Sequence, residues 1–92
     1  MITSFRHRGL KRLYERGDKS SIGANIRGRV ERILFVLDQA ETLEDMDMPG
    51  YRLHPLTGER KDTWSIRVTG NWRITFVFEE GNVFNVDLED YH

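Results

Sequence analysis

The sequence predicts one compact α+β domain, in which an N-terminal strand and two helices pack on one face of a mainly antiparallel sheet of four to five strands. Three observations carry this expectation. Up to Ala40 the apolar residues recur at steps of three, four and seven, the spacing of a helix that buries one stripe. From Tyr51 the spacing changes to two, as in strands that turn one face to a core. A chain of 92 residues supports one modest core and has no room for a second domain or a cofactor fold, so residues 1–92 read as a single domain.

The elements follow in order. Ile2 to Phe5 reads as a short strand. Leu10, Leu13 and Tyr14 then share one side of a short helix that Gly17 ends, because glycine enters the left-handed conformation of a helix C-terminus without strain. His7, at the start of this helix among basic residues, reads as solvated. Ser20 or Ser21 is placed to cap a second helix, whose stripe is Ile22, Ile26, Val30, Ile33, Leu34, Leu37 and Ala40. Its Gly23 and Gly28 each cost about 1 kcal/mol relative to alanine, so packing must hold it. Thr42 and Asp45 are spaced to cap one further turn, and Pro49-Gly50 reads as a tight turn.

Tyr51 to His54 supplies the first strand of an antiparallel meander. Trp64, Ile66 and Val68 form the buried face of the second, Trp72, Ile74, Phe76 and Phe78 that of the third, and Phe84, Val86 and Leu88 that of the fourth. The helices cover this face, and the other stays open to water. A three-residue loop, Thr69-Gly70-Asn71, pairs Val68 with Trp72 and keeps Ile66 beside Ile74 in the core. That register sets Arg67 directly across from Arg73, an unfavourable pair unless an anion lies between them. The same reasoning at Glu80-Gly81-Asn82 pairs Phe78 with Phe84, Arg73 with Glu89 and Trp72 with Asp90. Arg73 is then either a ligand for a substrate anion or a plain partner of Glu89 and Asp87. His54 and Arg52 fall on the open face with the arginines. Strict alternation puts Asp90 and His92 on the core face, which is costly for a carboxylate and an imidazole; the strand is therefore expected to bend after Leu88.

Composition narrows the chemistry. With no cysteine there are no disulfides, thiolate metal sites or thiol nucleophiles, and no apolar run approaches the roughly 20 residues of a bilayer span. No leader pattern opens the chain, and the expectation is a soluble cytoplasmic protein with no membrane partner. A net charge of -1 hides a segregation. Residues 1–40 carry nine Lys/Arg against four acids, whereas the remainder carries five against eleven. Solvated faces with an oppositely charged partner, or contact with RNA, both fit this pattern.

The ordered pieces "SF", "GL", "YRLHPLTGER", "WSIRV", "NWRITF" and "EDYH" run nearly end to end. Together they resemble the HigB-type toxins of bacterial toxin-antitoxin systems, within the RelE superfamily of ribosome-dependent mRNA endonucleases. The resemblance implies a RelE-like sheet packed on two helices, metal-free cleavage of mRNA in the A site of the 70S ribosome with no cofactor, and neutralisation by a HigA-like helix-turn-helix antitoxin. It points to His54, Arg73, Asp90, Tyr91 and His92 as catalytic residues. Arg52, Arg60, Lys61 and Arg67 are expected to hold RNA. Thr57 stands where many relatives have lysine, and Arg60 or Lys61 in the same loop is placed to supply the missing cation.

RNA is cut without metal when its own 2'-hydroxyl attacks the adjacent phosphorus. His54 and His92 titrate near neutrality and suit the proton transfers, Arg73 with Arg67 suits the charge on the phosphorane, Tyr91 offers a surface for an unstacked base, and Asp90 can orient an imidazole. Two rivals stand beside this reading. His54, Asp90 and His92 are also the types that bind a metal ion. A RelE-fold protein that binds a target such as gyrase without cutting RNA is the second, since fold does not fix function.

Overall fold

The computed structural model describes residues 1–90. Two helices, α1 (Arg8–Arg16) and α2 (Ala24–Gln39), precede four strands, β1 (His54–Pro55), β2 (Thr63–Arg67), β3 (Trp72–Glu79) and β4 (Asn82–Asp90). The strands lie in sequence order in one antiparallel sheet. Leu10 and Leu13 of α1 and Ile26, Val30, Ile33, Leu34 and Leu37 of α2 are buried in one core with Ile66, Val68, Ile74, Phe76, Val83, Val86 and Leu88 of the sheet. Each such side chain contributes about 1.5–3 kcal/mol through burial, which offsets the cost of Gly28, the one glycine inside α2.

Local chemistry explains the helix ends. His7 is not merely solvated: its Nδ1 accepts from the Leu10 N–H at 3.1 Å and caps α1. Gly17 closes this helix at φ 68° with its N–H bonded back into the last turn. The second helix starts later than expected, with Gly23 as its N-cap and no side-chain cap. The serines are occupied elsewhere, Ser20 on Asp18 and Ser21 as acceptor for Arg12. Ile22 stays buried all the same, as the lead-in to the helix. Thr42 and Asp45 form a reciprocal capping box on the turn Leu43–Met46, as their spacing predicts. Pro49 and Gly50, the latter at φ 84°, form a tight turn closed by the Tyr51 N–H on Met48 O at 3.0 Å.

The first sheet strand is shorter than the sequence predicts. Pairing begins only at His54, opposite Ser65, because Arg52 sits at φ 51° and breaks the extended run from Tyr51. Ile66 lies opposite Ile74 and Arg67 opposite Arg73, and the Val68 N–H donates to Trp72 O at 2.8 Å, as the three-residue loop requires.

The last hairpin departs from expectation in an instructive way. Its loop is Glu80-Gly81, so Phe78 faces Val83 and Val77 faces Phe84. A bulge then sets Asn85 and Val86 against Phe76, with Asn85 in the left-handed region at φ 56°, and restores the expected pairs Arg73–Glu89 and Trp72–Asp90. The physical reason lies in the core. The bulge lets both Val83 and Val86 be fully buried, at 0% exposure, and turns Phe84 to the opposite face. The N-terminal segment lies along the outer edge of β4 through two parallel bridges, Ile2 with Val83 and Phe5 with Val86, rather than as a full strand.

Candidate active site on the open sheet face

The pairings put Arg67, Arg73 and Glu89 in one row across the open face, and His54, Ser65, Thr75 and Asp87 in the next, about 7 Å along the strands. This face is not uniformly open. Ser65 and Thr75 are each 1% exposed and form the floor of a depression. A short 3-10 turn, Gly58–Arg60, rises beside it and brings Arg60 over the sheet.

Glu89 is the hub of that depression. Arg60 donates to both carboxylate oxygens, Nη1 to Oε1 at 2.9 Å and Nη2 to Oε2 at 2.5 Å. The Thr75 hydroxyl donates to Oε2 and Arg73 Nη2 to Oε1 at 3.4 Å. The Arg60 pair, then Thr75, and more weakly Arg73 hold the Glu89 carboxyl at about 2, well below its usual range, against the opposing effect of burial. The same bond with Glu89 raises Arg60 above the ordinary guanidinium value. Glu89 is therefore an anion at any ordinary pH, and its principal partner is Arg60, not Arg73. The guanidinium of Arg73 is largely covered, with 18% of its side chain exposed, and lies at the boundary between Glu89 and Arg67.

His54 occupies the edge strand and is exposed. Its Nδ1 lies 2.7 Å from the carbonyl oxygen of Arg52. A carbonyl has no proton to give, so Nδ1 carries one, and the neutral ring presents Nε2 as a proton acceptor. The left-handed backbone at Arg52 aims that carbonyl.

The structure thus brings His54, Arg60, Arg67 and Arg73 to one face of the sheet. Arg52 and Lys61 are exposed at its margin. Of the two cations expected to stand in for a lysine at Thr57, Arg60 is the one that reaches the depression. Asp90 pairs with Trp72 at the end of β4, exposed, and the strand stays in register through it. The bend expected after Leu88 is therefore absent as far as Asp90. Tyr91 and His92 lie outside the described residues. The sequence reading missed the Arg60–Glu89–Thr75 network, for Arg60 sits in an irregular loop and no periodicity places it.

A family model for HigB-like toxins, described as RelE-like toxins of the type II toxin-antitoxin system HigB, matches residues 3–92. This chain belongs to the HigB-like toxin family. Two relatives agree along their whole length. Endoribonuclease HigB of Proteus vulgaris is 44% identical over 92 residues, covering 100% of both chains. Toxin HigB-1 of Vibrio cholerae serotype O1 is 30% identical over 93 residues, covering 99% of this chain and 98% of that one. Among solved structures, YafQ from E. coli superposes with a TM-score of 0.64 at 13% identity, covering 98% of this chain and 91% of its own. At that identity the likeness concerns the fold alone, and it gives the HigB-like chain the RelE-like arrangement of two helices on a four-stranded sheet.

Proposed function

We propose that this HigB-family toxin is an endoribonuclease that cuts mRNA in the ribosomal A site, without metal, and so arrests translation. The observation that carries this reading is the row of guanidiniums beside an imidazole on one face of the sheet, with Arg73 set between Arg67 and Glu89. The name of the Proteus vulgaris relative, Endoribonuclease HigB, points the same way.

The 2'-hydroxyl of the substrate attacks the adjacent phosphorus, and the 5'-oxygen of the next nucleotide leaves, giving a cyclic phosphate and a free 5'-hydroxyl. His54, through Nε2, and His92 between them take the first proton and supply the second. Arg73 stabilises the extra negative charge on the phosphorane oxygens. Arg52, Arg60, Lys61 and Arg67 hold the strand, Tyr91 stacks on an unpaired base, and Asp90 orients an imidazole. A substrate phosphate arriving at Arg73 competes with Glu89, whose hold on that guanidinium at 3.4 Å is the weakest contact in the network. Glu89 keeps its charge balance through Arg60 when Arg73 turns to the phosphate.

A net charge of -1 gives little attraction for naked RNA, so the ribosome supplies the orientation of the strand. The basic residues of the chain's first 40 positions form the docking side for an acidic segment of a HigA-like antitoxin, which blocks access to the ribosome rather than filling the site. The setting is the cytoplasm.

The test is to add the protein to translating ribosomes and map new mRNA 5' ends. Cuts within the A-site codon that vanish with Arg73→Ala support the reading. Efficient cutting of purified RNA without ribosomes removes the ribosome dependence, and growth arrest with no new 5' ends replaces the nuclease by a binding-only toxin.

A further inference from the structure

Beyond Arg60 the depression continues into a polar cleft of about 150 Å³, lined by Arg6, Glu59, Arg60, Thr63, Thr75, Phe76, Val77 and Asn85. Arg60 and Thr75 spend donors on Glu89, but others in the lining are not so engaged. Arg60 is neutralised by Glu89, but Arg6 is exposed and makes no ion pair among the described residues. The Arg6 backbone N–H bonds Val86 O at 2.8 Å, which fixes the residue beside the bulge of β4. At the bulge, the Asn85 Oδ1 accepts from Ser4 Oγ at 3.4 Å and its N–H donates to the same oxygen at 2.9 Å. The acceptor side of the amide is thereby occupied, and its NH2 group is left as a donor. Thr63 adds a hydroxyl.

The bulge does one further thing. By turning Phe84 away from the core, it places an aromatic ring against Val77 on the open face, in the row that includes Thr63. Phe84 is not among the apolar residues packed against the core, whereas Phe78 is. A cation, two neutral donors and a half-exposed aromatic side by side match a phosphate with an attached base. Asn85 is held in the left-handed region at φ 56°, which asparagine tolerates, and bulges of this kind re-aim side chains next to active sites.

We propose that this cleft is a second RNA subsite: Arg6, Asn85 and Thr63 hold the phosphodiester of a nucleotide about two steps from the cut, and its base lies on Phe84 and Val77. The inference rests on the nuclease reading. From Arg73 to Val77 is four residues along β3, about 13 Å, which is roughly two nucleotide steps of an extended strand and sets the subsite that far from the scissile phosphate. Glu59 also lines the cleft and is exposed.

The experiment measures cleavage of ribosome-bound mRNA by wild type, Arg6→Ala and Asn85→Asp, the last of which keeps a residue that tolerates the left-handed backbone but replaces the donor with an anion. Both variants are expected to raise KM about tenfold, as loss of one charge-assisted hydrogen bond does, with kcat and melting temperature unchanged. The second arm replaces single mRNA phosphates near the cut with neutral methylphosphonates. At one flanking position the wild-type penalty should disappear in Arg6→Ala, which identifies the mRNA strand and not ribosomal RNA as the ligand. Wild-type KM in both variants overturns the subsite, and so do methylphosphonate penalties that remain additive with Arg6→Ala at every position. A wild-type protein that makes no cuts brings down the nuclease reading and the subsite with it, whereas the other negative results leave the nuclease reading standing.

Discussion

Replacing Glu89 with glutamine removes one charge and leaves the shape, so it isolates what the network around that carboxylate contributes. Lowering the carboxyl from 4.5 to about 2 corresponds to about 3 kcal/mol, since one pH unit is worth a little over about 1 kcal/mol. Its main partner, Arg60, has 41% of its side chain exposed, and solvent screening there reduces the expected contribution to about 2 kcal/mol. For a domain of this size that is a fall in melting temperature on the order of 10 °C at pH 7. The sign of the pH dependence follows from a folded value below the unfolded one. The stabilisation is complete above about pH 5 and is lost as the pH falls through the range from 4.5 towards 2, where wild-type Glu89 takes up its proton. Urea unfolding of wild type and Glu89→Gln at steps from pH 7 to pH 2.5 reads this directly. The two stabilities should converge on acidification. A gap that stays constant over that range, or no gap at pH 7, refutes the account of Glu89 as a charged hub.

Three further outcomes are expected. Arg73→Ala should lower the cleavage rate on ribosomes by about 10² or more while shifting the melt little, because Glu89 retains Arg60 and Thr75; a large stability loss with normal cleavage would make Arg73 a structural partner. Phe76→Ala should cost about 3–5 kcal/mol in urea unfolding, since Phe76 is 0% exposed, and Phe84→Ala clearly less because its ring faces away from the core. His92→Ala should abolish mRNA cleavage with an unchanged melting temperature, and a variant that still cuts at the wild-type rate would remove His92 from the mechanism.

Most of the sheet was legible because alternation leaves little freedom in register. Placing Ile66 beside Ile74 forces Arg67 opposite Arg73, and the fold has both pairs. The bulge at Asn85 was not legible from alternation, since Val83, Phe84 and Val86 are all apolar and two different registers bury two of the three. Asparagine, which tolerates the left-handed region, was the available signal. The start of α2 was misread because serine is a better cap than glycine in isolation, yet both serines are engaged by charged neighbours of the preceding turn. In the candidate site, period and pairing placed His54 and Arg73 on the open face, where the fold has them. Arg60 did not, for its position depends on the path of a loop whose 3-10 turn starts at Gly58, and a loop path is set by tertiary contacts rather than by a repeating pattern.

The parallel bridges at the edge of β4 join residues that are about 80 positions apart in the chain. Contacts of such separation form late, because the intervening chain must be ordered before they gain anything. A growing polypeptide that ends at β3 has Arg67 beside Arg73 with no Glu89 to balance them, a helical layer without Val83, Val86 and Leu88 to complete its core, and nothing for Ile2 to pair with. The fold closes only when its last strand has emerged.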